Sequence, residues 1–564
     1  MIQSYYQIMK YFKKNFEAIL LVIIILAGFL LRFVNFTSIP VGFNADEASF
    51  GYDTYSILKT GKDQWGVPIP LVLKSFGDYK SPLYSYLSIP FVFLMGLNIA
   101  STRILSILIG TLSIASVYLL ANQVYKNKLG TTNLSVGIFA SLFFALNPWT
   151  IMLSRGAYEA NLLTLFIPLF IYFFLRGLQE NKYLVYSAIS LALSLFSYHS
   201  SKIIAPALLF VIVLLYIKEL KTIGFKKLRM PILILFISFI AIFYTLKIGG
   251  GARISERSIT QGALEEGAKE KIRLIQQGVN PIKAKLMHNK YQVVLYRFVF
   301  NYSQYFSSKF LFTNGAGESY YGMVTGIGVI NIFEGIAMLG LLPILFRRKI
   351  ETSLLLVFAW LFISPLPAAL STGIGYAGNR AVGMIPVLQV LASVGLVGWL
   401  GIFSKLNKTV LYLLACMFCV IVFSNIYSFV TNYFVTTHKD SYGQMLYGNL
   451  ETAHFLTKNK SENIILSRSL SEPQIFIAFA SIWDPTDYQE ATKEWDLKKH
   501  RVSWVDQIES YKLGKYTIKS IDWKKDIGSG VTVVARPSDV NKDFKPDKTV
   551  YYPYGDPAIY VKNY

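Results

Sequence analysis

Two adjacent carboxylates, Asp46 and Glu47, lie in the segment GFNADEASFGYDTY (42–55), directly after the apolar run AILLVIIILAGFLLRFVNF (18–36). Asn44 followed by Glu47 resembles a helix-capping box, and acids in a first turn suit the helix dipole. This pattern predicts a helix from about residue 45 to 59 that stops at Gly61. Capping accounts for Glu47, but it accounts less well for Asp46, because one acid and an asparagine would suffice.

Further charged or titratable residues stand close to the ends of other apolar runs. They occur in the motifs GDYKSPLY, SRGAYEAN, SYHSSK and AGNRAVGMIP, and they are Lys80, Arg155, Glu159, His199, Lys202 and Arg380. Charges at the mouth of a helix bundle, rather than in its middle, indicate chemistry at a membrane surface and not passage through the membrane.

Composition indicates that the elements holding these residues are membrane-spanning helices. Of the 564 residues 53% are hydrophobic and only 16% are charged, against roughly a quarter in a soluble domain. Apolar runs of the length that crosses hydrocarbon recur along the chain. We therefore expect a polytopic α-helical membrane protein with about eleven spans, at 17–35, 101–123, 134–153, 160–176, 183–198, 203–217, 231–247, 322–346, 352–369, 382–403 and 409–430.

The net charge of +22 is distributed in a way that argues against nucleic-acid binding. Lysines and arginines concentrate in short loops at alternate span ends, and the positive-inside rule places those loops in the cytoplasm. The first span is too long for a cleaved signal peptide, so we expect it to be retained. The predicted location is the cell membrane, with a cytoplasmic N-terminus and an extracytoplasmic C-terminus.

Three long segments then lie outside the membrane, at 36–100, 248–321 and 431–564. In the first, SPLYSYLSIPFVFLMGL is apolar but short, which favours an amphipathic helix at the interface. The second carries glycines and charges, and we expect a mobile loop that closes over a substrate. The last contains 18 Lys and Arg against 17 Asp and Glu. Its strand-like stretches NIILSR, KYTIKSID, GVTVVARP and AIYVKNY, with the helical SEPQIFIAFA, predict an α/β domain after a membrane domain of residues 1–430.

Two features inside the predicted spans, a pair of cysteines and one acid, are explained without a catalytic role. Cys416 and Cys419 are the only cysteines, and both lie within the last span, so no disulfide is expected in the outer segments. Glu334 is an acid deep inside a span. Such acids are often functional, but a structural hydrogen bond to a neighbouring helix is the favoured interpretation.

The ordered set of motifs resembles the glycosyltransferase C superfamily. These motifs are FNADEASFGYDTYSIL, GDYKSPLYSYL, TRILSILIGTLSIASVYLLANQVY, SRGAYEAN and NRAVGMIPVLQVLASVGL. The nearest branch is the glycosyltransferase 39 type, which contains dolichyl-phosphate-mannose protein mannosyltransferases and bacterial aminoarabinose transferases. The similarity covers most of residues 15–400, and the C-terminal domain adds little to it.

This resemblance implies an inverting transfer of a sugar from a polyprenyl-phosphate donor to an acceptor hydroxyl at the outer face of the membrane. The acceptor could be a protein, a glycan or a lipid. Asp46 corresponds to the family's catalytic base. Lys80, although Ser81 separates it from Pro82, and Arg380 correspond to basic residues on the donor phosphate, and Lys202 is a third choice.

Further residues are expected on the acceptor side. Each of these residues, and each basic residue expected on the phosphate, could instead have a purely structural role. The acceptor-side candidates are Glu47, Arg155, Glu159 and His199. Arg155 and Glu159 could form only a local ion pair. Each basic residue could be one that merely extends to the membrane interface.

No metal or cofactor is required by this chemistry, because lysine and arginine can neutralise a monophosphate. The first outer loop has no Asp-x-Asp motif, although Asp46, Glu47 and Asp53 could bind a divalent ion. Two other functions remain open. A diphosphate-dependent glycan polymerase or ligase would use the scattered arginines of the large outer loop. A sugar-lipid transporter or flippase would need broken helices or mid-membrane charges.

Overall fold

The fold is built mainly from helices that pack into a bundle and carry a mixed α/β domain. The computed structural model describes residues 2–126, 134–250, 258–315, 321–324, 326–347, 350–372, 378–404, 406–436, 439–541 and 543–564. Helices of the bundle and its loops span Ile2–Phe33 (α1), Ala45–Thr60 (α2), Leu83–Met95, Ile99–Val124, Val136–Leu146, Pro148–Leu153, Leu163–Gly177, Tyr183–Leu195, Ser201–Leu215, Ile217–Ile223, Phe225–Thr245, Ala263–Gln276, Pro281–Met287, Lys290–Gln304, Ile332–Leu339, Leu341–Arg347, Thr352–Ile363, Leu366–Ala369, Met384–Phe403 and Lys408–Val430.

Within the described residues, seven helices are long and apolar enough to cross a membrane. An eighth results if Ser201–Leu215 and Ile217–Ile223, which meet at 80°, form one broken span. Three predicted spans correspond to shorter apolar helices, namely Val136–Leu146, Tyr183–Leu195 and Ile332–Phe346. The prediction of a polytopic helical membrane protein is confirmed, whereas the count of eleven spans stays a prediction.

The first predicted outer segment contains α2 and a short hairpin. Asn44 accepts the N–H of Glu47 at 2.8 Å, and Gly61 closes the helix in the left-handed conformation with a φ of 69°. These caps satisfy backbone groups that the helix ends would otherwise leave unpaired. The hairpin pairs β1 (Leu73–Lys74) with β2 (Tyr79–Lys80) in antiparallel register. It places Lys80 at the start of the chain that leads into helix Leu83–Met95.

The C-terminal region contains a six-stranded mixed sheet. The strands are Asn463–Ser467 (β3), Ser510–Leu513 (β4), Tyr516–Lys519 (β5), Val531–Ala535 (β6), Lys548–Tyr551 (β7) and Pro557–Asn563 (β8). Their order in the sheet is β4-β5-β3-β6-β8-β7. Of the five neighbouring pairs, β3–β5 and β3–β6 are parallel and the other three are antiparallel. Helices of this region are Lys439–Gln444, Asn449–Thr457, Pro473–Ser481, Pro485–Thr492 and Leu497–His500.

Four of these strands and the helix Pro473–Ser481 coincide with stretches that the sequence predicts. The sequence does not predict β4 and β7. They are the two edge strands, and each is only partly buried, so neither shows the apolar run of the four central strands.

The C-terminal domain shares one apolar core with α2. The rings of Phe43 and Phe479 lie 5.0 Å apart, and the Tyr52 hydroxyl donates a hydrogen bond to the Trp483 carbonyl at 3.1 Å. The Gln489 amide adds donated hydrogen bonds to three groups of the first outer segment, which are the Ser56 hydroxyl, the Thr60 hydroxyl and the Asp63 carbonyl. The domain is therefore fixed onto the helix that carries the two acids.

The hairpin turn makes a second contact with this domain. Val505 donates its backbone N–H to the Phe76 carbonyl at 2.7 Å. A methyl group on Gly77 would lie 2.3 Å from the Ser503 carbonyl oxygen, which is a separation that no side chain could tolerate. A residue without a side chain is thus required where the two backbones meet.

The large outer segment predicted at 248–321 contains the helices Ala263–Gln276, Pro281–Met287 and Lys290–Gln304. Part of it, 251–257 and 316–320, lies outside the described residues, as do Arg253 and Arg257. Arg297 donates hydrogen bonds to the carbonyls of Ile259 and Gln261 and pairs with Glu266. The closure of the segment 248–321 over a substrate stays a prediction.

Replacing Gly77 by alanine should loosen the C-terminal domain, because the new methyl group forces the hairpin away from Ser503. We expect a lower melting temperature in detergent and faster proteolysis of the C-terminal domain. Gly528→Ala is the matched control, since a methyl group at this position of the same domain meets no neighbouring atom. Equal proteolysis of the two variants would contradict the contact.

Candidate functional site

The two adjacent acids of α2 have different partners. The Lys80 ammonium lies 2.7 Å from Oδ1 of Asp46, and Lys80 is 2% exposed whereas Asp46 is 24% exposed. Successive residues of a helix point about 100° apart, so Asp46 and Glu47 cannot face the same way. Asp46 remains accessible to solvent while its partner is almost fully enclosed.

Aromatic rings surround the Lys80 ammonium. Its nitrogen lies 4.9 Å from the centre of the Phe50 ring and 5.5 Å from that of Phe76. Ring faces attract a cation but do not neutralise it. An enclosed lysine needs an anion, and in this structure that anion is Asp46.

The Glu47 carboxylate is buried and forms a bidentate pair with Arg103. The Arg103 Nε and a terminal nitrogen each donate to one carboxylate oxygen at 2.8 Å, and both side chains are 0% exposed. The backbone N–H of Ala157 also donates to Oε1 at 2.9 Å. The carboxylate therefore ties α2 to helix Ile99–Val124, and this placement does not fit the predicted contact of Glu47 with a substrate.

Arg103 also organises the loop that precedes α2. Its remaining donors reach the carbonyls of Phe36 at 3.0 Å, Pro40 at 3.3 Å and Gly42 at 2.8 Å. Sequence reasoning missed this residue. The available signal was an arginine at the start of the apolar span TRILS, where a charge requires a partner.

Arg155 closes the C-terminal end of α1 instead of pairing with Glu159. It donates to the carbonyls of Leu31, Arg32 and Val34 at 2.9, 2.9 and 2.6 Å, and it is completely buried. The chain between Arg155 and Glu159 is not helical, so the i,i+4 geometry behind a local ion pair is absent. This position gives Arg155 a structural role and does not fit the predicted contact with an acceptor.

His199 and Lys202 lie against the hairpin. The His199 Nε2 is 2.7 Å from the Tyr79 carbonyl, and Nδ1 is 3.3 Å from the Lys202 ammonium. A carbonyl can only accept, so Nε2 carries the proton and Nδ1 accepts from Lys202. His199 thereby holds Lys202 next to the strand that ends at Lys80.

Arg380 and Glu159 lie on two short turns of the structure. Arg380 donates to the Ser371 hydroxyl and to the Thr372 carbonyl. Its turn, Gly378–Ala381, packs on helix Leu366–Ala369, which contacts the helix that bears Lys202. Glu159 begins the turn Glu159–Leu162 and interacts electrostatically with Tyr84.

A third acid of α2, Asp53, is buried beside Asp63. It accepts hydrogen bonds from the backbone and the side chain of Gln64 at 3.0 and 3.1 Å. Burial raises the pKa of Asp53 well above its ordinary value, and the Asp63 carboxylate raises it further. Asp46, Glu47 and Asp53 thus have separate partners, and within the described residues no three His, Cys, Asp or Glu side chains are grouped to hold a metal ion.

Glu334 has the structural role that the sequence favours. Its carboxylate accepts hydrogen bonds from the Asn331 backbone at 2.6 Å and from the Asn147 and Gln389 side chains at 3.1 Å each. Three donors from separate helices stabilise this buried acid.

Comparison with known proteins identifies a family that part of the chain resembles. Residues 79–246 match the family model of dolichyl-phosphate-mannose-protein mannosyltransferases. The predicted resemblance to the glycosyltransferase C superfamily is confirmed. The matched range includes Lys80, His199 and Lys202, but it begins after Asp46, so Asp46 is connected to the family region through its contact with Lys80.

Two solved proteins share the fold over most of the chain. ArnT from Cupriavidus metallidurans, solved in the apo state and bound to undecaprenyl phosphate, is 11% identical with a TM-score of 0.51, and the match covers 97% of this chain and 98% of ArnT. The archaeal oligosaccharyltransferase AglB from Archaeoglobus fulgidus, in complex with an inhibitory peptide and a dolichol-phosphate, is 15% identical with a TM-score of 0.51. That match covers 84% of this chain but only 64% of AglB, so the chain spans less than two thirds of its length. No curated protein sequence matches the chain.

Glu47→Gln should destabilise the protein by about 3–5 kcal/mol, because it leaves the buried Arg103 guanidinium without its counter-charge. Thermal unfolding in detergent would measure this loss. Glu180→Gln, which breaks the exposed pair with Arg176, is the control and should change the melting temperature little. A Glu47→Gln protein that melts like wild type yet loses activity would instead place Glu47 in the chemistry.

Proposed function

We propose that this protein is an inverting glycosyltransferase that moves a sugar from a polyprenyl-phosphate donor to an acceptor hydroxyl at the extracytoplasmic face of the cell membrane. Asp46 is the base, and Lys80, with Lys202 and Arg380, holds the donor phosphate. The acceptor is a hydroxyl of a protein, glycan or lipid.

The contact between Asp46 and Lys80 is the observation that carries this proposal. An accessible carboxylate and an enclosed cation meet at 2.7 Å, in a fold whose relatives transfer sugars. The solved structure of ArnT is bound to undecaprenyl phosphate, and that of AglB is in complex with a dolichol-phosphate. Both lipids are polyprenyl phosphates. This supports a lipid phosphate as the leaving group and Lys80 as its nearest cation.

The reaction follows from the chemistry of the two groups. The acceptor oxygen forms a bond to the anomeric carbon from the side opposite the phosphate. The bond between that carbon and the phosphate oxygen breaks, and its electron pair stays on the lipid phosphate. The acceptor proton passes to Asp46. Lys80 stabilises the charge that develops on the phosphate in a site poor in water.

The ion pair also links donor binding to the base. A carboxylate paired with an ammonium is a weaker proton acceptor than an unpaired one. When the donor phosphate binds the Lys80 ammonium, the attraction between Lys80 and Asp46 weakens and Asp46 becomes more basic. The base is thus activated only when a donor is present, which limits proton transfer in the empty site.

Asp46→Asn should lower transfer at least about 100-fold, because it removes the base while keeping the size of the side chain. Transfer would be measured in reconstituted membranes with a panel of labelled polyprenyl-phosphate monosaccharides. Glu490→Gln, an exposed change in the C-terminal domain, is the control and should retain full activity.

Each other result of this assay has a separate meaning. Unchanged transfer by Asp46→Asn would remove Asp46 as the base and direct the search to Glu159. Transfer from a polyprenyl diphosphate but not from any monophosphate would favour the polymerase or ligase. Movement of the sugar-lipid across the membrane without a glycosyl product would favour a transporter.

Lys80→Gln should weaken binding of a polyprenyl monophosphate by about 10- to 100-fold, because a hydrogen bond to a charged group contributes about 1.5–3 kcal/mol. Asp46→Asn should bind it at least as tightly as wild type, since Lys80 then has no competing carboxylate. Lys62→Gln, an exposed lysine of the same outer segment, is the control. Equal affinity of the Lys80 and Lys62 variants would contradict the phosphate role of Lys80.

A further inference from the structure

The helix Lys290–Gln304 of the large outer segment turns apolar side chains outward. Arg297 is turned toward the protein instead, where it binds two backbone carbonyls and pairs with Glu266. A helix on a water-facing surface has the opposite arrangement, with apolar residues on the core and charges outside. The outward face of Lys290–Gln304 therefore needs an apolar cover. It contains five residues that are each more than half exposed, namely Tyr291, Leu295, Tyr296, Val299 and Phe300.

A second helix of the segment, Ala263–Gln276, also has an uncovered apolar side. Leu264 and Ile272 are exposed, and the helical period of 3.6 residues places them on one side of the helix. The packed side is a different one, because a methyl group on Gly267 would lie 3.0 Å from the Asn289 carbonyl carbon. All three helices of the segment expose apolar residues, and those of the connecting helix Pro281–Met287 are Ile282, Leu286 and Met287.

The same segment is strongly basic. Residues 271–304 contain six Lys and Arg and no Asp or Glu. The two arginines form ion pairs with acids of the helix Ala263–Gln276. Lys283, Lys285 and Lys290 are exposed and stand next to the apolar residues of the connecting helix. Apolar and basic side chains on one surface are typical of helices that lie in the interfacial layer of a membrane and attract anionic headgroups.

The helix Lys290–Gln304 adjoins a candidate membrane span, Thr352–Ala369. The Tyr302 hydroxyl donates to the Phe362 carbonyl at 2.8 Å, and the ring of Phe306 lies 5.7 Å from that of Phe362. Phe362 is exposed, and an exposed aromatic residue of a span faces lipid or the membrane interface. The outward face of the helix therefore continues a surface that the span turns toward lipid.

The segment is also fixed close to Arg380. The Asn301 amide donates to the Ala369 carbonyl at 3.3 Å. Ser371, two residues further along the chain, accepts a hydrogen bond from Arg380. The basic and apolar surface thus belongs to the same end of the bundle as this arginine.

We propose that residues 263–304 form a platform that lies in the interfacial layer of the membrane and binds anionic lipid headgroups. The apolar faces of its helices enter the edge of the hydrocarbon, and Lys283, Lys285 and Lys290 contact the headgroups. A second copy of the chain fits this surface less well, because a two-fold interface brings each positive charge close to its own copies. The platform holds the large outer segment at the membrane, which limits the freedom of the segment to close over a substrate.

A fluorescent label on the full-length chain in reconstituted vesicles tests the position of the platform. Cys416→Ala and Cys419→Ala remove the two native cysteines, and Tyr296→Cys then supplies one attachment site. The label should lose about half of its fluorescence in vesicles of brominated phospholipid, because the apolar face of an interfacial helix reaches about 5–10 Å into the headgroup and acyl boundary. It should also be shielded from acrylamide in the water. Glu462→Cys, an exposed position of the C-terminal domain, is the control and should show the reverse on both measures.

The charge of the vesicle tests the part of the lysines. Adding phosphatidylglycerol to phosphatidylcholine vesicles should increase the shielding of the label from acrylamide about twofold or more, because each lysine near an anionic surface contributes about 1 kcal/mol. The combined change Lys283→Gln, Lys285→Gln and Lys290→Gln should remove this increase. The matched control is the same change of charge at three exposed lysines of the C-terminal domain, namely Lys458→Gln, Lys460→Gln and Lys524→Gln.

Three outcomes overturn the proposal. A label that acrylamide quenches and brominated lipid does not would place the helix in water, as expected for a mobile cover. A label shielded from both quenchers would place protein on this face, such as a second copy of the chain. An equal response of the two lysine variants to phosphatidylglycerol would remove the headgroup contacts. Melting temperatures of all labelled variants show that the fold is retained, and none of these outcomes bears on sugar transfer.

Discussion

The buried pair between Glu47 and Arg103 is the interaction on which the position of α2 depends. One guanidinium neutralises the carboxylate and also binds three carbonyls of the preceding loop. Because Glu47 is held in this way and successive helical residues point about 100° apart, its neighbour Asp46 points away from Arg103, and its carboxylate contacts Lys80. A structural charge pair thus fixes the orientation of the residue that we assign to the chemistry.

Much of this arrangement could be predicted from the sequence because the signals are local. Asn44 and Gly61 mark the ends of α2, and apolar runs mark the long helices. The family resemblance selected Asp46 and Lys80 from a first outer segment with several charged residues, and the structure places the two side chains in contact. Both kinds of signal lie within a few residues of the feature that they predict.

The rest could not be predicted, because it depends on contacts between distant parts of the chain. Nothing near Arg103 or Arg155 shows that one binds Glu47 and the other closes α1. The near-neutral charge of the C-terminal region indicates a water-facing domain, but it carries no information about which surface packs on α2.

The core shared by α2 and the C-terminal domain also has a consequence for biosynthesis. Phe43 and Tyr52 leave the ribosome more than 400 residues before their partners Phe479 and Trp483. Until those partners are made, the apolar face of α2 has no cover from its own chain. The junction between α2 and the C-terminal domain therefore forms only after most of the chain has been synthesised, and a nascent chain that ends before residue 479 holds α2 without this apolar cover.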